Sequence, residues 1–207
     1  MNLRPATAAD VGPLAELIYT AALANARACP LDVTFGTVRD ETLDRLGWMV
    51  LNLPENPGHF SRFTVAETGG RVASALCLHT KEGDSILTWR RVFRGLGYGY
   101  PAIAAGVYRM RSYFMVKPHC GPDSLIVGNV ATFSEYRGMG AASLLLNDAI
   151  ARVRDEGRPR LELECQIGNP ARRVYEKAGF AVTEVKTSRS WAKTFGTAGV
   201  LKMTLEL

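Results

Sequence analysis

The sequence predicts one α/β domain, in which a mixed central β-sheet is flanked by helices and carries an enlarged middle segment. Three observations support that class. Near the N-terminus Val11, Leu14, Leu17, Ile18 and Ala21 recur at helical spacing, so the stretch buries one face of a helix. Two apolar runs separated by Gly69-Gly70 read as a strand hairpin. From Leu125 onward a strand, a glycine-rich bend, a helix, an alternating strand, a second helix and two further strands follow in turn. A chain of 207 residues holds one substantial core and is short for two, so residues 1–207 are expected to form a single domain.

Taken in order, residues 3–4 begin a short edge strand. Thr7 and Asp10 are spaced as a capping box, and the helix they open is expected to run to about Ala28, closed by Cys29-Pro30. Thr37 and Asp40 repeat the spacing before a second helix toward Leu51, with Leu43, Leu46 and Val50 on its apolar stripe. Residues 52–58, rich in Pro and Gly, form a turn. Strands over 62–67 and 71–80 make the hairpin, the second apolar on both faces and so buried on both. Residues 86–93 and 102–113 read as helices joined by a Gly- and Tyr-rich connection, and 117–123 as a turn. This middle interval is open to three uses: a wall of an acceptor cleft, a contact that would make a homodimer, or an inserted part of the core.

Residues 125–133 then read as a buried strand, 138–155 as a helix and 161–167 as a strand whose Leu161, Leu163, Cys165 and Ile167 alternate with Glu162, Glu164 and Gln166. Asn169-Pro170 is a helix entrance: Asn caps, and Pro tolerates the first helical position because no N–H is needed there. The helix ends near Gly179. Residues 180–185 and 199–207 are the last strands, and 186–197 a loop with Trp191 and Phe195 as aromatic anchors.

Composition narrows the partners. With 47% hydrophobic and 22% charged residues, the chain fits a globular protein, and no segment has the apolar length of a membrane span, so no membrane partner is expected. The first residues lack a positive segment followed by a hydrophobic signal core, which reads as cytoplasmic. A formal charge of +5 favours phosphate-bearing ligands. No long basic tail or nucleic-acid module accompanies it, and no nucleic acid is expected as partner. Cys29, Cys77, Cys120 and Cys165 form no CxxC pair, and His59, His79 and His119 lack ligand spacing, so neither disulfides nor a metal is expected.

The chemistry concentrates in residues 129–142, NVATFSEYRGMGAA. A buried strand leads into a bend and then into the first turn of a helix. The exposed N–H groups of a helix terminus bind anions, and Gly138, Gly140, Ala141 and Ala142 carry no bulk to keep a phosphate away. Arg137 can add a charge-assisted bond. No Gly-Lys-Ser/Thr follows, so this is not a Walker loop, and GxGxxG is absent.

The bend resembles the Arg/Gln-x-x-Gly-x-Gly/Ala pyrophosphate loop of the GNAT N-acetyltransferase superfamily, on Arg137, Gly140 and Ala142, with Gly138 matching the longer Arg-Gly-x-Gly form. A second stretch strengthens the resemblance: behind Asn169, Val174-Tyr175-Glu176-Lys177-Ala178-Gly179-Phe180 is similar to the family's Leu-Tyr-Glu-Lys-x-Gly-Phe, with Val174 in place of Leu. Ser134 stands where many members have proline. Two motifs in order, with a helix and strand between them, are far more specific than either alone.

The resemblance implies acetyl-CoA as cosubstrate and direct transfer of acetyl to a primary amine, on a small molecule or a peptide. It implies that Val130, Ala131, Thr132 and Phe133 line the pantetheine arm, and that Arg137, Gly138, Met139, Gly140, Ala141, Ala142 and Ser143 hold the pyrophosphate. Asn169 and Lys177 are further candidate cofactor contacts, though capping and a solvated helix end also account for them. Tyr175 is the candidate general acid, since a phenol donates a proton. Glu162, Glu164 and Glu135 are open as the base. The alternative from another class is a non-catalytic acyl-CoA sensor or interaction domain.

Overall fold

The computed structural model describes residues 1–81, 85–121 and 124–207. Its order is β1 (Asn2–Pro5), α1 (Val11–Leu23), α2 (Pro30–Phe35), α3 (Arg39–Leu51), β2 (Phe63–Thr68), β3 (Arg71–His79), α4 (Ile86–Gly95), α5 (Tyr100–Arg109), α6 (Arg111–Val116) and β4 (Leu125–Thr132). There follow α7 (Ala141–Asp155), β5 (Arg160–Gln166), α8 (Arg172–Lys177), β6 (Ala181–Thr187), α9 (Arg189–Phe195) and β7 (Gly199–Glu206). The strands form one mixed sheet in the order β1-β2-β3-β4-β5-β7-β6. Every pairing is antiparallel except β4 with β5.

Strand alternation sorts side chains into two cores, one on each face of the sheet. Val65, Ala75 and Cys77 join Leu14, Leu17, Ile18, Leu46 and Val50 of α1 and α3 on one face. Their neighbours Ala66 and Leu76 join Leu145, Leu146 and Val153 of α7 on the other, with Leu161 and Leu163 of β5. Leu145 is fully buried, so Leu145→Ala removes about 2–5 kcal/mol. The expectation that β3 is buried on both faces holds from Val72 to Cys77.

Several boundaries differ from expectation for identifiable reasons. The first helix ends at Leu23, where Ala24 turns to φ 46, and not near Ala28. Pro30, expected to close that helix, instead opens α2 from its first position, where its missing N–H costs nothing. The capping box at Thr7 forms around a 3-10 turn, Asp10 accepting from the Thr7 N–H at 2.8 Å. At Thr37 no such box forms; its hydroxyl meets that of Thr42 at 2.7 Å, and α3 starts two residues later at Arg39. The helix expected over 102–113 is two, α5 and α6, meeting at Met110. The turn expected over 117–123 extends into residues 122–123, outside the described residues. The loop expected over 186–197 contains the helix α9, whose Trp191 and Phe195 rings pack against each other with centroids 4.2 Å apart and planes tilted by 44°. Trp191 also donates to Thr197 Oγ1 at 2.8 Å, so these aromatics are a small core with Val116 and Val200.

Candidate active site

The site begins where the sheet opens. Leu125, Ile126 and Val127 of β4 lie opposite Leu161, Glu162 and Leu163 of β5. Past that point the two strands stop pairing with each other, yet β4 stays on β3 as far as Thr132 and β5 stays on β7 as far as Gln166. Each strand follows its outer neighbour, and a V-shaped gap results. On β4 the register shifts across Ala75 and Cys77 of β3, and Asn129 adopts φ 49. That is a bulge, which bends the strand away, at a residue type that tolerates the left-handed region. Adjacent strand N–H groups point to opposite edges. The Phe133 N–H donates to Ala73 O on the β3 side at 3.0 Å, so the N–H groups of Thr132 and Val130 face the gap.

Beyond Thr132 a 3-10 turn at residues 134–136 leads to Arg137 and the glycine bend. Gly138 and Gly140 have φ 79 and 83, and a Cβ added to either would meet nothing within 4 Å. Here glycine is required by conformation and leaves open space in front of the helix. α7 starts at Ala141, not at Gly138 as expected, because Gly140 is held in the left-handed region. Its first backbone bond is Leu144 N–H to Gly140 O at 3.0 Å. No side chain caps this end, so the first-turn N–H groups of Ala141, Ala142 and Ser143 have no intrahelical acceptor. Gly138, Met139, Gly140 and Ser143 are exposed, and Ala141 is buried as the helix turns onto the sheet. Arg137 is exposed too, with Nε 3.4 Å from Thr132 O.

On the far side of the gap, Val130, Glu164, Asn169 and Tyr175 line a cavity of about 320 Å³. The structure thus brings Val130, Asn169 and Tyr175 to one space. Ala131, Thr132, Phe133 and the glycine bend lie along the strand edge leading away from it, and Lys177 is exposed at the last turn of α8, off the cavity wall. Asn169 Oδ1 accepts the Ala171 N–H at 2.9 Å, closing a turn ahead of the helix; the residue at the helix cap is Ala171 and not Asn169 as expected. α8 itself starts later than the Pro170 entrance, at Arg172. Tyr175 is buried, its ring edge-on to Phe180. Its hydroxyl makes no hydrogen bond with the described residues, and burial raises its pKa above that of an ordinary phenol. It is therefore neutral and holds its proton throughout the physiological range.

The two candidate carboxylates on β5 part company. Glu162 lies in the closed section opposite Ile126. It is 1% exposed, pairs with Lys202 Nζ at 2.8 Å and accepts the Gly121 N–H at 3.0 Å. Burial alone would raise its pKa, but the Lys202 ammonium and the Gly121 N–H outweigh it and the carboxyl is held below its usual range. Glu164, two residues on, sits where the strands have separated. It lines the cavity and accepts from the Tyr113 hydroxyl at 3.3 Å. The third candidate, Glu135, is exposed and accepts from Ser134 Oγ at 3.2 Å. All four cysteines are free and buried, with the Cys165 thiol pushed up to about 11 and Cys120 to about 12 by burial. Among the described residues no cluster of His, Cys, Asp and Glu is arranged to hold a metal ion, and no helix is long and apolar enough to cross a membrane.

Part of the remaining cavity wall comes from the middle segment, for which a cleft wall is one of the three uses the sequence leaves open, with no single residue marked out. His79 of β3, Trp89 of α4, Arg109 and Met110 around α5, and Tyr113 of α6 all face the same space. The sequence signal for it is charge: residues 85–121 contain Arg and Lys but no Asp or Glu.

A splayed parallel strand pair, a bulge beside it and an uncapped helix start behind a glycine bend define an acyl-transferase class of fold. The acetyltransferase (GNAT) family model matches residues 25–180, and the chain belongs to that family. A [ribosomal protein bS18]-alanine N-acetyltransferase of Haemophilus influenzae is 34% identical over 64 residues, a stretch covering 31% of this chain and 44% of that enzyme. The chain therefore spans less than half the length of this curated relative. Among solved structures, an N-acetyltransferase from Staphylococcus aureus Mu50 superposes with TM-score 0.70 at 18% identity, covering 99% of this chain and 100% of the other. A ribosomal-protein-alanine N-acetyltransferase from Brucella melitensis does so with TM-score 0.57 at 20% identity, over the whole of both chains. At such identities the likeness is one of fold.

Proposed function

We propose that the chain is an acetyl-CoA-dependent N-acetyltransferase acting on a primary amine by direct attack. One observation carries the reading: the gap between β4 and β5 joins an uncapped helix start to a cavity on which a neutral phenol and a carboxylate converge. The pyrophosphate of coenzyme A fits the space before Gly138 and Gly140, held by the N–H groups of Ala141, Ala142 and Ser143 at the positive end of the helix dipole. Arg137 and Met139 flank it. The pantetheine arm runs beside residues 130–133, placing the thioester near the free N–H groups of Thr132 and Val130. Asn169 borders the acetyl end, and Lys177 meets an outer phosphate only if the nucleotide reaches α8.

Glu164 takes a proton from the bound ammonium, directly or through water, leaving a nitrogen lone pair. The nitrogen attacks the thioester carbonyl, and strand N–H groups donate to the oxygen as it gains charge. A C–N bond forms and the C–S bond breaks. Tyr175 gives its proton to the departing sulfur and is reprotonated through water from the second proton lost by nitrogen.

The test is calorimetric binding of acetyl-CoA together with amine-dependent release of free thiol. Native chain should bind, and Gly140→Glu should lose at least about a hundredfold in affinity from steric and like-charge exclusion of phosphate. Gly157→Glu is the control: Gly157 has φ 66 at the other end of α7, so strain is matched and binding should persist. Binding without thiol release from any of a broad amine panel would replace catalysis with acyl-CoA sensing, and no binding by folded chain would remove both.

A further inference from the structure

Next to the acceptor cavity lies a second, separate space of about 250 Å³ between α4, α5 and α6. The two share a boundary: Trp89, Met110, Tyr113 and Lys117 line both. The remaining groove wall is almost wholly apolar, with Ile86, Leu87, Ile103, Val107 and Phe114, and several of these are exposed, Leu87 at 66% and Ile86 at 59%. Apolar side chains held open to water in a concave groove are costly unless something apolar covers them. Charge around the two spaces is also one-sided. Among the described residues Glu164 is the only carboxylate on the acceptor cavity and none lines the groove, while Arg90 and Lys117 stand on the groove wall.

We propose that the acceptor is an amine with an extended apolar body, whose nitrogen lies at Glu164 and Tyr175 and whose body crosses the Trp89–Met110–Tyr113 boundary into the α4–α6 groove. This rests on the acetyl-transfer reading of the same cavity and adds the substrate class. The far end of such an acceptor is neutral or anionic, since it emerges beside Arg90. A polyamine is disfavoured: its first ammonium meets Glu164, but among the described residues its second meets no carboxylate on the groove wall. Met110, with an unbranched flexible side chain, suits the boundary because it can move aside without leaving a rigid wall.

The experiment is calorimetric titration of chain saturated with coenzyme A, using butylamine, octylamine, 8-aminooctanoate and 1,8-diaminooctane. Octylamine should bind about a hundredfold tighter than butylamine, close to the limit set by roughly fourfold per buried methylene. The amino acid should bind at least as tightly as octylamine, and the diamine about tenfold more weakly. Val107→Trp, which fills the groove, and Leu87→Glu, which charges its mouth, should each erase the octylamine advantage and leave butylamine unchanged. Neither residue touches the acceptor cavity, and both positions are exposed, so folding should survive. Absent octylamine binding, equal affinity for the two chain lengths, a diamine that binds tightest, or an advantage that survives both substitutions would each overturn the proposal. Because the readout is binding, it stands apart from thiol release: failure of transfer with the length dependence intact would remove the chemistry alone.

Discussion

The two ends of the gap are built from different materials. At the glycine bend the surface is backbone: residues 138–143 offer N–H groups and empty space, and a Cβ at Gly138 or Gly140 would touch nothing. At the cavity end the surface is side chain: Trp89, Arg109, Met110 and Tyr113, from three helices, close around Glu164 and Tyr175. A backbone site constrains residue type at fixed spacing, because only small residues leave the amides reachable. A side-chain site can be assembled from distant positions in many ways and constrains local sequence little. The first end therefore suits a ligand recognised by its phosphate charge, and the second a ligand recognised by its shape.

Tyr175→Phe breaks the comparison most sharply, as it deletes one atom on the side-chain end. It should lower kcat by about 10² to 10⁴-fold while acetyl-CoA affinity stays within about twofold. The sign of the pH dependence follows from the raised phenol pKa. The proton-bearing form persists above the ordinary value of 10.0, so native kcat should show no alkaline loss from this group as pH rises to 10. An alkaline limb below 10 that vanishes in Tyr175→Phe would contradict the burial argument, and unchanged kcat would remove the acid role.

Glu162 and Glu164 sharpen the comparison, being two residues apart on one strand with opposite fates. Glu164→Gln should cut kcat about a hundredfold and leave thermal stability unchanged. Glu162→Gln should do the reverse, costing about 3 kcal/mol by leaving the Lys202 ammonium, only 14% exposed, with the His119 carbonyl but no counter-charge. Its carboxyl pKa is lowered in the fold, so its contribution is fully present above the unfolded value near 4.5 and is lost as pH falls through the lower folded value. Native and Glu162→Gln chains should thus converge in stability in acid. Melting curves from pH 7 to pH 3 would show this, and a constant difference would mean that the ion pair is not what Glu162 contributes.

The same contrast explains what was legible in the sequence. The glycine bend, the strand before it and the turn at Asn169 could be read because backbone conformation demands those residue types locally. The split between Glu162 and Glu164 could not: alternation puts both on one face, and only the point where β4 leaves β5, after Val127, separates them. That point depends on a bulge at Asn129, a tertiary feature with no fixed local signature. Helix α9 was missed because Ser188 provides its cap, accepting the Trp191 N–H at 3.4 Å, within a stretch too short for helical periodicity to show. The middle helices were found, but their break at Met110 and their part in the cavity depend on contacts with α2.

One of those contacts gives the smallest effect and the most local test. Arg109 reaches from α5 to α2, donating from Nε to Val33 O at 2.8 Å and from Nη2 to Thr34 O at 3.2 Å. Carbonyls near a helix C-terminus carry partial negative charge and lack intrahelical donors, so a guanidinium suits them. Gly36 closes α2 in the left-handed region at φ 71, where an added Cβ would come 2.9 Å from Arg109 Nη2. The clasp needs both residues. Arg109→Met keeps the aliphatic stem and loses the donors, which should cost about 1–2 kcal/mol of stability and loosen one wall of the acceptor cavity. If that wall serves the acceptor alone, KM for the amine should rise about threefold to tenfold while acetyl-CoA affinity and the kcat of a saturating amine stay unchanged. A parallel loss of acetyl-CoA binding would instead mean that the two ends of the gap are mechanically one.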